Sequence, residues 1–200
     1  MSDGEIQALE QQIFELNGRL TELRKAERGV EVPNYELQTL SGGISLLELF
    51  GEHKTLLAIH NMGESCRYCT LWADGFNGFL PHLESAMSVV LLSPDAPALQ
   101  RTFASSRGWR FRLASHGGGS YIVEQTVLAE QGNMPGAVVY QRQGERIVRR
   151  SSAVFGPGDR YCSMWSLLGL AGLSEADWTP QFSYWRRPEV LADGGNNLLD

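Results

Sequence analysis

Thr55-Leu56-Leu57-Ala58-Ile59-His60-Asn61-Met62-Gly63-Glu64-Ser65-Cys66-Arg67-Tyr68-Cys69 is the stretch that decides the reading of this chain. Its first five residues run without polar alternation, the pattern of a strand buried on both faces of a sheet. A short loop follows. Beyond the cysteine pair, Leu71, Trp72, Phe76 and Phe79 recur at roughly helical spacing. The two cysteines therefore stand where a central strand gives way to a helix. Free backbone N–H groups and the dipole at a helix start favour an anion. A thiol placed there ionises more readily, its pKa falling from about 8.5 toward roughly 7 or below. Cys66 is the expected nucleophile, with Arg67 adding positive charge beside it. Cys69, one turn inside the helix, is the expected resolving thiol. Two other readings stay open. The pair is half of a zinc site completed by Cys162, His60 or His82, although no second closely spaced pair is present. Or both thiols are inert and buried, for which Arg67 and Tyr68 are poor company.

Working outward, Met87–Leu92 reads as a second buried strand, Pro97–Arg107 as a helix stopped by Gly108, and Arg110–Ala114 as a third strand. Ser115–Ser120 is a glycine-rich loop, and Tyr121–Gln131 fits neither helix nor strand cleanly. Ala137–Tyr140 and Arg146–Arg149 pair through a turn at Gln143-Gly144. Asp159–Leu170 closes the series as a helix. Upstream, Tyr35–Leu40 alternates like a strand and turns at Ser41-Gly42-Gly43. Ser45 and Glu48 then form a capping-box pattern for a short helix ended by Gly51. Strand–helix–strand crossovers require parallel neighbours, and the late hairpin requires an antiparallel pair. The expected fold class is α/β, a mixed sheet with helices on both faces.

Residues 5–28 read as one amphipathic helix. Ile6, Leu9, Ile13, Leu16, Leu20 and Leu23 step by three and four, an a/d seam over about three heptads. It packs either along its own domain or against a second copy. Three units are expected: this helix in residues 1–30, a main domain over 31–178, and a wrapped segment with a frayed tail over 179–200.

Composition narrows the function. The 200 residues carry 17 basic and 23 acidic side chains, net −6, which argues against a general nucleic-acid binder. No apolar run approaches the roughly 20 residues of a membrane helix. The first residues, Met1-Ser2-Asp3-Gly4-Glu5, lack a secretory pattern. Three cysteines do not make a disulfide scaffold, so a cytoplasmic protein is expected. Charge is uneven: residues 101–160 hold nine arginines and four acids, net +5, either a solvated face or a positive field beside a site.

Met134-Pro135 immediately precedes the strand Ala137–Tyr140. With the earlier C-x-x-C, this arrangement resembles thioredoxin-like proteins, in which a cis-proline loop lies against the reactive cysteine. The resemblance implies that Met134 and Pro135 face Cys66 and, with Arg67 and Tyr68, contact substrate. It narrows further on Ser45-Leu46-Leu47-Glu48-Leu49-Phe50-Gly51, His60-Asn61-Met62, Cys66 through Gly78, Pro81-His82-Leu83 and Arg107-Gly108-Trp109. These are similar to one bacterial domain-of-unknown-function family, described as predicted dithiol-disulfide oxidoreductases. That family is thioredoxin-like and related to the alkyl hydroperoxide reductase class. The similarity covers roughly residues 30–175. Gly117-Gly118-Gly119 departs from the aromatic and acidic stretch the family tends to carry there.

The resemblance implies a redox enzyme without a bound cofactor. A thiol or disulfide, on a protein or a small molecule, or a hydroperoxide would be its substrate, and an external thiol reductant its electron source. His60, six positions before Cys66, sits where thioredoxin-like proteins keep a buried proton-relaying acid; it is either such a relay or a hydrogen-bonded structural histidine. Asp-Gly-Phe-Asn-Gly at 74–78 is expected to kink or stop the helix, leaving Asp74 and Asn77 in a surface turn. Cys162 is expected to be a small core residue.

Overall fold

The computed structural model describes residues 3–184. The expected tail at Gly194–Asn197 lies outside the described residues. An eight-stranded mixed sheet has the order β1-β8-β7-β4-β5-β6-β2-β3. Its centre is β4 (Thr55–His60), parallel to β5 (Ser88–Ser93) and antiparallel to β7 (Gly136–Gln143). Two crossovers build the parallel part: α2 (Arg67–Glu84) joins β4 to β5, and α3 (Pro97–Ser106) joins β5 to β6 (Arg112–Ser115). β7 and β8 (Arg146–Val154) form the closing hairpin, and β2 (Glu36–Thr39) with β3 (Gly42–Ser45) covers the other edge. The parallel crossovers and the closing hairpin are as expected; β3 is not, because Gly42-Gly43 reads as a turn in the sequence.

β1 (Val30–Val32) was not foreseen; it pairs only with β8, whose partner residues lie more than a hundred positions away. Gly29 makes that edge contact possible. It takes φ +76°, and a Cβ on it would sit 2.4 Å from the Arg149 carbonyl oxygen.

Period-two alternation along β4 divides the core. Leu56 and Ala58 face one side, with Tyr35, Leu37, Phe50, Tyr121 and Tyr140. Leu57 and Ile59 face the other, beneath Trp72, Phe76 and Leu80 of α2 and Trp165 of α5 (Ser163–Leu170). The short α4 (Ser120–Glu124) buries Tyr121 and Ile122 on the first side, so helices lie on both faces. Ser45 and Glu48 form the expected capping box. The Glu48 carboxylate accepts from the Ser45 N–H at 2.7 Å, and the Ser45 Oγ accepts from the Glu48 N–H at 3.3 Å.

Two helices depart from expectation. α2 runs through Asp74–Gly78 and breaks instead at Phe79 (φ −113°, ψ 16°), because Pro81 lacks an N–H and its ring crowds the preceding turn. α5 begins at Ser163 rather than Asp159: the Asp159 carboxylate accepts the N–H groups of Tyr161 and Cys162 at 2.7 and 3.0 Å and holds them in a turn. α1 (Asp3–Ala26) is helical as expected, with its first half exposed. Among the described residues no helix is long and apolar enough to cross a membrane.

Candidate active site

Cys66 is the N-cap of α2, in extended backbone (φ −92°, ψ 100°), and its Sγ accepts the N–H of Cys69 at 3.2 Å. The thiol thus occupies the position that a Ser or Asp side chain fills at an ordinary helix start. Cys69 is buried, and its Sγ accepts the Met62 N–H at 3.4 Å. Both thiols are free, and each influences the other's ionisation.

That influence separates their acidities. The Cys66 pKa falls from 9.0 to about 6, first through the bond from the Cys69 thiol, then through the backbone N–H groups of Cys69 and Tyr68, against the opposing effect of burial. Donation to Cys66 and burial push Cys69 far upward. A half-buried thiolate beside a protonated, shielded partner is the charge state that nucleophile and resolving thiol require. The depression comes from these hydrogen bonds. Arg67, expected to add positive charge beside the thiol, is exposed at the first helical position.

The loop before Cys66 is pinned at several points. Asn61 Oδ1 accepts the Gly63 N–H at 2.8 Å, Asp95 Oδ2 accepts the Glu64 N–H at 2.8 Å, and the Gly63 carbonyl accepts the Cys66 N–H at 3.1 Å. The 133–135 loop reaches the same segment: Asn133 Nδ2 donates to the Met62 carbonyl at 3.4 Å. The expected cis proline is absent, since every described peptide bond is trans. The chain turns instead at Asn133, which takes φ +52°. The Pro135 carbonyl is occupied by the Phe155 N–H at 2.9 Å.

Tyr68 leans on aromatic rings, with centroids 6.2 Å from Trp72 and 6.5 Å from Trp165. Cys162, the N-cap of α5, is buried among them, and burial raises its pKa. His60 follows Ile59 and so faces the opposite side of the sheet from α2. Its Nε2 lies 2.8 Å from the Tyr121 hydroxyl, which is 3.1 Å from that of Tyr140. Gln125 and Tyr35 extend this buried chain to Glu124, and His116 stacks on Tyr121 at 6.3 Å. Burial drives the pKa of His60 to about 3 and of His116 to about 4, so both rings are neutral near pH 7. Among the described residues no group of three or more His, Cys, Asp or Glu side chains is placed to hold a metal ion.

Asp95, His116 and the Tyr121–Tyr140 pair were missed by the sequence reading. One signal was available: loops after the carboxyl ends of parallel strands gather at one rim, which singles out residues 61–66, 94–96 and 116–119.

Residues 5–189 match a family described as a bacterial protein of unknown function (DUF899). The chain belongs to this family. No curated protein matches it. Among solved structures, the peroxidoxin BcpB of Mycobacterium tuberculosis is 20% identical, with a TM-score of 0.51 over 64% of this chain and 85% of that one. The bacterioferritin comigratory protein of Xanthomonas campestris, studied for alkyl peroxide reduction, is 17% identical, with a TM-score of 0.53 over 68% and 88%. Reduced Prx3 of Vibrio vulnificus in complex with hydrogen peroxide is 16% identical, with a TM-score of 0.53 over 67% and 90%. These likenesses show the fold of this family member, the thioredoxin-like fold of peroxiredoxins.

Proposed function

We propose that the protein is a thiol–disulfide oxidoreductase in which Cys66 attacks and Cys69 resolves. One observation carries this reading: the Cys66 sulfur is the cap of α2, accepting the Cys69 N–H at 3.2 Å, with a protonated thiol one turn deeper.

The Cys66 thiolate attacks one sulfur of a substrate disulfide. A Cys66–substrate disulfide forms, the substrate S–S bond breaks, and the second substrate sulfur leaves as a thiolate. Cys69 then loses its proton and attacks the Cys66 sulfur, releasing the remaining thiolate and closing a Cys66–Cys69 disulfide. The substrate has gained two electrons, and an external dithiol returns them to the enzyme. Met134, the 133–135 loop and exposed Arg67 border the approach to Cys66 in this reading. Tyr68 forms an aromatic wall, and His60 serves the fold from the far side of β4. The redox-active state belongs in a reducing, cytoplasmic setting.

The peroxiredoxin fold favours a second substrate at the same sulfur. There Cys66 takes the terminal oxygen of a hydroperoxide, releasing an alcohol or water and leaving a sulfenic acid. Cys69 condenses with it, giving the same disulfide and water.

Redox titration of the Cys66/Cys69 pair, read by mass, tests the shared claim: a two-proton mass change at one potential is expected. Cys66→Ser should abolish both insulin-disulfide reduction and peroxide consumption, and Cys69→Ser should accumulate a mixed disulfide. Full turnover in Cys66→Ser would remove the proposal.

A further inference from the structure

The twenty-four residues of α1 extend for about 36 Å, and residues 4–16 are exposed throughout. Ile6, Leu9, Ile13, Phe14 and Leu16 are 51–73% exposed. An isolated helix no longer than this exposed half, about 13 residues, is marginal in water, and most helices are held by burying an apolar face. Here that face is on the outside.

Charge divides the helix at its midpoint. Residues 4–16 carry Glu5, Glu10 and Glu15 and no base, whereas residues 17–28 carry Arg19, Arg24, Lys25 and Arg28 against Glu22 and Glu27. Beside the basic half, between α1 and β8, lies a groove of about 450 Å³. Leu20 and Leu23 supply its apolar wall, and Arg24, Arg149 and Arg150 its charge. Arg24 donates to the Tyr161 hydroxyl, Arg149 to the Thr126 carbonyl, and Arg150 to the carbonyls of Lys25 and Arg28 and to Gln141. Each of these acceptors is neutral, so three arginine charges stand against the one carboxylate, Glu27, that also lines the groove.

We infer that this surface receives the N-terminal half of α1 from a second copy of the chain, packed antiparallel. Ile6, Leu9 and Ile13 of one copy then lie against Leu16, Leu20 and Leu23 of the other. The acidic half of one helix then lies along the basic half of the other, whose Arg24 lines the groove. A two-fold axis repeats the contact, so both exposed halves and both grooves are covered at once.

Ile at two of the three a positions and Leu at every d position also suit a parallel pair. Charge decides against it. In a parallel pair Glu5 would meet the second copy's Glu10, and Arg19 would meet its Arg24, like against like at the flanking g and e positions.

The full chain should sediment at twice its 22.2 kDa mass at micromolar concentration. Ile13→Glu, at a site exposed in the single copy, should give monomers with an unchanged thermal melt of the domain. Glu10→Lys separates the orientations by sign. It should weaken an antiparallel pair severalfold, by placing a lysine against the second copy's basic half, at the level of Arg19. In a parallel pair it would relieve the Glu5–Glu10 repulsion and tighten association. A monomeric full chain, a dimer that survives Ile13→Glu, or a dimer tightened by Glu10→Lys each overturns the inference.

Discussion

Asp74 Oδ1 accepts the indole N–H of Trp109 at 2.7 Å, and the Arg107 guanidinium grips the same carboxylate. This cluster ties the first half of α2 to the chain leaving α3. Trp109 is buried, so Asp74→Ala leaves its N–H without a partner, a loss of about 1–3 kcal/mol. Urea denaturation should show a lower midpoint at unchanged slope; an unaltered midpoint would refute the assignment.

Alkylation of reduced protein by iodoacetamide should rise with pH around a midpoint near 6 and report on Cys66. The Cys69 thiol is the largest cause of that low value, so Cys69→Ala should move the midpoint upward. The sign for stability follows. From pH 9 down to about 6 the unfolded chain holds a proton that folded Cys66 has released. Ionisation therefore stabilises the fold fully above 9, and the gain is lost as pH falls through about 6.

His60 and His116 have folded pKa values depressed to about 3 and about 4 from an ordinary 6.5. The unfolded chain binds protons first, so their contribution is present above 6.5 and is lost as pH falls toward those values. Thermal midpoints should drop between pH 6.5 and 4, and His60→Gln with His116→Gln should flatten the slope. A slope unchanged in the double variant would count against neutral buried rings.

Tyr121→Phe removes the hydroxyl that meets His60 Nε2 at 2.8 Å and Tyr140 at 3.1 Å. A destabilisation of about 1–3 kcal/mol is expected, because a buried imidazole nitrogen loses its partner. The Cys66 alkylation midpoint should stay near 6, since this network lies across the sheet. A shifted midpoint would mean that the two faces communicate.

Gly136→Ala should be among the most damaging single changes. A Cβ there would stand 2.3 Å from the Ala153 carbonyl oxygen and 2.8 Å from Val127 Cγ2, at the start of the β7–β8 hairpin. Loss of soluble, cooperatively folding protein is expected on expression and melting.

Local signals in the sequence were legible. The apolar run Thr55–His60, the cysteines at the following helix start and the Ser45/Glu48 cap are written in adjacent residues, and the structure has all three. What escaped depends on partners far along the chain. β1 exists because Val30–Val32 meets Ile147–Arg149. Asp74 looked like a turn residue because Arg107 and Trp109, which hold it, are more than thirty positions away. The Pro81 break was misplaced toward the glycines, although a missing amide disrupts a helix more than a missing side chain does.

The division of the core by β4 also sorts the chromophores. Among the described residues, Trp72, Trp109, Trp165 and Trp178 all pack on the side bearing α2, together with Tyr68 and Tyr161, whereas Tyr35, Tyr121 and Tyr140 occupy the other. Trp72 stands three residues from Cys69 on the same helix. Emission from these four indoles is therefore a native optical gauge of the sulfur side, through which closing and opening of a Cys66–Cys69 bond can be followed in real time without attaching a dye.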